Sequence, residues 1–173
     1  MESALKSTTG TTLELARELP NDLRAWLGER QLMDLALEAV QTVTLEQPTF
    51  GGQRGEQLSS QMMLTLLTYC YATDTYGSED VEWSAENEFA PGYICAHTRP
   101  DWQTVRRFRK ANRARIEECL VQVLNRAVTR RFTDVGVEDP WSRLVEVDLL
   151  AETTEWARRK IQLAILMDTA ASD

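Results

Sequence analysis

His97 is the only histidine in the chain, so any Ser-His-Asp or Cys-His catalysis would have to run through it. Cys95-Ala-His97 places two metal-ligand types side by side, but a structural zinc takes about four ligands and no spaced partners follow. His97 therefore reads as a loop histidine, able to donate to a phosphate oxygen if it sits beside a cationic face. Glu79, Asp80, Glu82, Glu86 and Glu88 form the densest acidic run. Paired carboxylates can hold Mg²⁺ or act as acid and base, yet these fall at adjacent and i+3 offsets on one short segment, the pattern of a solvated helix face. There is no Gly-rich phosphate loop, no GxSxG and no HExxH. The sequence predicts no catalytic residue, no metal site, no cofactor and no small-molecule substrate.

The cations are the stronger signal. Arg99 to Arg131 holds ten of the 19 Lys and Arg against Asp101, Glu117 and Glu118, a local charge of +7 in a chain whose net charge is −8. An acidic protein that gathers its cations on one element presents a positive face to something anionic, unless that face is merely solvated. At about 100° per residue, Arg106, Arg109, Lys110 and Arg113 share one side of a helix, with Arg107 offset from them. Arginine grips phosphate or guanine in a bidentate way, whereas lysine acts as a point charge. Trp102 and Gln103 stand at the helix start, where base edges are commonly read. Trp102 reads equally well as a staple into the core.

The elements that must position these residues are helical. Thr11 to Leu19 is compatible with a short helix ended by Pro20, and Pro20 to Leu27 with another helical turn stopped by Gly28. Glu29 to Val43 carries Leu32, Leu35, Ala36, Ala39, Val40 and Val43 in one apolar stripe. Pro48 to Gly55 is a break rich in turn residues. Ser59 or Ser60 then caps a helix through Thr73 that is apolar on nearly every side, as a central helix must be. Asp74 to Gly77 reads as a turn, Ser78 to Asn87 as a short helix with acids in its first turn, and Pro91-Gly92 as a second turn.

Pro100 and the cap Asp101 lead into a long helix to about Arg131, buried along Val105, Phe108, Asn112, Ile116, Cys119, Val123 and Ala127. Thr133 to Pro140 reads as a loop. A last amphipathic helix follows from about Val145 to Thr169, with Leu149, Trp156, Leu163, Ala164 and Met167 on one side and Arg158-Arg159-Lys160 as a second basic cluster. No segment has a strand pattern. The fold class predicted is all-α, with five to seven helices, in three parts: 1–18, a helical domain over 19–132, and a loop and helix over 133–173 packed on that domain.

The short helix, turn and basic helix between Ser78 and Arg113 approximate a helix-turn-helix, with a connection longer than usual. Cys70, Cys95 and Cys119 are widely spaced and form no CxxC pair, which suits a reducing cytoplasm and a packing role. The start has no secretory-signal pattern, and the longest near-apolar run, Met62 to Ala72, is far below the roughly 20 residues of a bilayer span.

Three separated stretches carry a family resemblance. Pro100-Asp-Trp-Gln-Thr-Val-Arg-Arg-Phe-Arg-Lys110 resembles the signature of the N-terminal helical domain of DDE-type insertion-sequence transposases (the InsH-like group). Met62-Met-Leu-Thr-Leu-Leu-Thr-Tyr-Cys-Tyr-Ala72 is similar to that domain's Met-Leu-Leu helix, and Leu19-Pro-Asn-Asp-Leu23 to its opening. The resemblance covers Leu19 to Arg131 and implies an all-helical module that binds the ends of a mobile element. It makes Arg107 and Arg109 DNA contacts, Phe108 core, and Asp101 with Thr104 the shapers of the helix N-terminus. The arginine-rich turn of such domains stands here as the acidic Asp74 to Val81, and the forty or so residues after Arg131 leave no room for a DDE triad.

The expected function is a non-catalytic DNA-binding module, a truncated or repurposed transposase domain, with contacts from Arg99, Trp102, Gln103, Arg106, Arg107, Arg109, Lys110 and Arg113. The alternative is a protein-interaction module, which the acidic remainder and the apolar last helix would let form a homodimer.

Overall fold

Ser59 opens the helix on which the others are built. Its hydroxyl accepts the Met62 N–H at 3.1 Å, and the chain then runs helically from Ser60 to Ala72 with Met63 to Ala72 buried throughout. The computed structural model describes residues 19–43, 49–51, 57–134 and 143–170. Within these, α1 (Arg24–Leu27) and α2 (Glu29–Gln41) meet at Gly28, whose φ of +75° is the left-handed geometry that glycine adopts without penalty. β1 (Thr49–Gly51) and β2 (Gln57–Ser59) form a small antiparallel pair, and α3 (Ser60–Ala72) follows directly. α4 (Ser78–Asn87), α5 (Phe89–Ile94), α6 (Trp102–Asp134) and α7 (Arg143–Ala170) complete the fold.

Among the described residues the fold is all-α apart from that one strand pair. α3 is enclosed by α2, α5, α6 and α7, and α6 packs on α2, α3, α4 and α7. The core holds Leu32, Leu35, Leu64, Leu67, Tyr69, Tyr71, Phe108, Ile116 and Leu120. Cys70, Cys95 and Cys119 are buried thiols. Burial holds the Cys70 thiol well above its usual range and pushes Cys95 and Cys119 up to about 12. Replacing the capping hydroxyl in Ser59→Ala should cost about 1 kcal/mol, read as a lowered thermal midpoint.

Several expectations need correction. The Pro91-Gly92 turn is instead the helix α5. Pro91 sits in its first turn, where no N–H is needed, and a Cβ on Gly92 would come within 3.3 Å of the Ala85 carbonyl oxygen. The break at 48–55 contributes a strand, Thr49–Gly51, although no strand pattern was legible. α6 is continuous to Asp134 but bends at Asn112 (φ −119°, ψ 23°). The Asn112 side chain donates to the Phe108 carbonyl at 3.1 Å, competing with the helix ladder, so this residue is a kink and only half-buried.

The buried side of α7 is Thr153, Trp156, Ala157, Lys160, Ile161, Ala164 and Asp168, whereas Leu163 and Met167 are 43% and 49% exposed. Lys160 and Asp168 find partners on other elements, and Thr153 donates to the Leu150 carbonyl of its own helix, which rotates the buried stripe away from the most apolar one. The expected helix over 11–19 lies outside the described residues except for Leu19; of the expected loop over Thr133 to Pro140, Thr133 and Asp134 are instead the end of α6 and the rest lies outside the described residues.

Candidate functional site

Asp101 starts α6 as its cap: Thr104 donates its N–H to Asp101 Oδ1 at 2.9 Å and its hydroxyl to Oδ2 at 2.6 Å. A second carboxylate reaches the same end from α4. Glu82 Oε2 accepts the Trp102 N–H at 3.1 Å, and Glu82 Oε1 accepts Arg99 Nε at 3.0 Å and Nη2 at 2.8 Å. Glu82 is buried, so it is no part of a solvated acidic face. It neutralises a helix start and a guanidinium together. Glu86 takes the remaining side of Arg99 at 2.6 Å. The sequence assigned Arg99 to DNA; the structure engages it with two carboxylates of α4.

The acid that most changes the basic face is Asp168, far along the chain on α7. Its carboxylate accepts the Ser78 N–H and hydroxyl, both at 2.7 Å, so it caps α4 from outside. The same carboxylate pairs with Arg109, and with Arg106 Nε at 3.2 Å, while Arg106 also donates to the Asp168 carbonyl. Arg109 is 5% exposed and donates to the Tyr71 hydroxyl at 3.2 Å. Burial alone raises the Asp168 carboxyl's pKa, but the Ser78 and Arg109 donors outweigh burial and hold it below the usual carboxylate value. Arg109, expected at a DNA surface, is a buried structural ion, because the acid that satisfies it lies 59 residues away in sequence.

The other candidates separate into two groups. Trp102 is half-buried and lies under the Arg106 guanidinium, 5.4 Å from ring centroid to charge. Gln103, Arg107, Lys110 and Arg113 are exposed. Arg107 donates to its neighbour Thr104 at 3.2 Å and its charge helps to lower the Asp101 carboxyl, while among the described residues none of Arg107, Lys110 and Arg113 has an ion pair. The surface left for an anion is thus narrower than the eight expected contacts suggest: Gln103, Arg107 and Lys110 follow helical spacing, with Arg113 beside them just past the kink.

Arg106, Lys110 and Arg113 also form one wall of a cleft of about 420 Å³ between α6 and α7, with Ile165 and Thr169 on the other wall and the Arg109–Asp168 pair between them. Asp168, Ile165 and Thr169 were not singled out from sequence. The available signal was an aspartate in register with Trp156, Lys160 and Ala164 at four-residue spacing, a charge on the inward side of a helix.

His97 is exposed in a left-handed turn (φ 61°) after Ala96 (φ 50°), with its N–H bonded to the Gly92 carbonyl at 2.8 Å. Among the described residues no group of three or more His, Cys, Asp or Glu is placed to hold a metal ion, and no helix is long and apolar enough to cross a membrane. The chain matches no protein-family model, no curated protein and no solved structure.

Proposed function

We propose that this chain is a non-catalytic DNA-binding module, resembling a transposase N-terminal domain, that meets the phosphate backbone through Gln103, Arg107, Lys110 and Arg113. The observation that carries the reading is the set of exposed cations on the first turns of α6, Arg107, Lys110 and Arg113, none held by a carboxylate among the described residues. Arg99, Trp102, Arg106 and Arg109 support the helix rather than touch the ligand. Three phosphate contacts give a slope of log affinity on log salt near −2.7, so affinity should fall roughly 40-fold between 50 and 200 mM salt.

Fluorescence anisotropy with a labelled duplex measures this. Arg107→Gln should lower the slope by about 1 while leaving the thermal midpoint in place. Unchanged affinity and slope in that variant, or no salt-dependent binding by the natural protein, would sink the reading.

A second reading, self-association, has its own observation. Trp83, Phe89 and Tyr93 are 58%, 69% and 57% exposed, and the Phe89 and Tyr93 rings stack at 6.2 Å. Exposed aromatics on adjacent helices are the side chains enriched in the buried centres of interfaces. Light scattering should then show a dimer that Phe89→Ser dissociates, and a strict monomer at high concentration excludes it.

A further inference from the structure

The cleft between α6 and α7 is unusual in its charge. Among the described residues that line it, Arg106, Arg109, Lys110 and Arg113 meet one carboxylate, Asp168, so this lining carries a charge of +3 around about 420 Å³ in a chain whose net charge is −8. These cations stand three or four residues apart, the spacing at which like charges repel on a helix. Two of them are already fixed: Asp168 and Tyr71 hold the buried Arg109, and Asp168 and the Trp102 ring hold Arg106. Fixed guanidinium groups cost little ordering on binding. Lys110 and Arg113 stand at the rim, exposed and without a carboxylate among the described residues. Opposite them, Ile165 supplies an apolar wall. The volume lies within the range of small-molecule sites.

We propose that this cleft binds a small organic anion in which a phosphate-like head is joined to an apolar body. The head lies between Lys110 and Arg113, over the positive floor set by Arg106 and Arg109, and the body lies against Ile165 and the methylene stems of the cations. The site stands independently of the DNA reading. It shares Lys110 and Arg113 with that surface, but Ile165 belongs only to the cleft, and Gln103 and Arg107 only to the DNA stripe.

Isothermal titration calorimetry of the full chain in low-salt, phosphate-free buffer tests it, with phenyl phosphate, inorganic phosphate and phenol as probes. Phenyl phosphate should bind one to one, inorganic phosphate more weakly, and phenol not at all. Lys110→Gln and Arg113→Gln should each weaken phenyl phosphate roughly tenfold, and Ile165→Trp, which fills the cleft without altering its charge, should abolish binding. Circular dichroism melts establish that each variant is folded, and Ile165→Val covers a tryptophan variant that does not fold, with an expected several-fold loss. The proposal is overturned by no saturable phenyl phosphate binding, by equal affinity for inorganic phosphate, or by affinity unchanged in folded Lys110→Gln and Arg113→Gln. Arg107→Gln should leave phenyl phosphate binding intact while weakening DNA, so either reading can fail without the other.

Discussion

Asp168→Ala should destabilise the protein by about 3–5 kcal/mol, the cost of removing one partner from a buried ion pair. Three consequences add in the same direction. Arg109 keeps its charge in a site where, among the described residues, Tyr71 and Ser78 are left to hold it. The Ser78 N–H, at the start of α4, loses an acceptor supplied from another helix. Arg106 loses the carboxylate that draws it toward α7.

Asp168→Asn keeps the shape and one acceptor, so it should cost less than the alanine, whereas a double variant, Asp168→Ala with Arg109→Met, should recover part of the loss by removing the stranded charge. The sign of the pH dependence follows from the lowered carboxyl. Its stabilisation is complete above the unfolded value of about 3.9 and is lost as pH falls from there through the folded value. The stability difference between the natural protein and Asp168→Asn should therefore shrink below about pH 4. Urea titrations at pH 3, 4 and 7 measure it, and a pH-independent difference, or an alanine variant as stable as the natural protein, contradicts the assignment.

What the sequence discloses about this fold is the local part. Ser59 and Asp101 act as caps because a short polar side chain before an apolar or basic run satisfies an N–H three residues on, and this is readable in a window of a few residues. The stripe Leu32, Leu35, Ala36, Ala39 and Val40 is buried as its spacing requires. What stayed hidden depends on partners far along the chain. Lys110 and the buried Arg109 are adjacent cations on one helix, and only Asp168 distinguishes them.

Glu82 and Glu86 looked alike within one acidic run, yet Glu82 faces inward because Arg99 and the start of α6 come to meet it. Helical periodicity alone would bury Leu163 and Met167. The inward Thr153, Lys160 and Asp168 can be buried only because their hydrogen bonds are made within the folded chain, a condition that a pattern of apolar residues does not encode.

Lys160→Ala should cost about 3 kcal/mol, the second large effect, because this lysine fastens the middle of α7 to the other end of the chain. Its ammonium donates to the Asn21 carbonyl and to the Tyr76 hydroxyl, the latter at 2.7 Å, and lies 3.5 Å from Asp74 Oδ1. It also lies over two rings, 5.2 Å from the Tyr76 centroid and 4.8 Å from that of Trp156. The alanine removes two hydrogen bonds, the ring contacts and the packed stem together. Lys160→Met retains the stem and loses only the polar contacts, so its cost should be smaller, about 1–2 kcal/mol.

Burial lowers the Lys160 pKa, and Asp74 and Asp22 only partly restore it. A lysine lowered in the folded state gives up its proton before the unfolded chain does, so the unfolded state binds more protons and stability rises with pH across that interval. The natural protein should therefore gain stability relative to Lys160→Met as pH climbs toward about 10.4, the ordinary lysine value, and the difference should then level off. Taking the difference between the two proteins cancels the tyrosines that do not touch Lys160. Chemical denaturation from pH 7 to 10.5 gives this curve. A flat difference would mean that Lys160 is solvated, and equal stability of the alanine and methionine variants would mean that the stem is not packed.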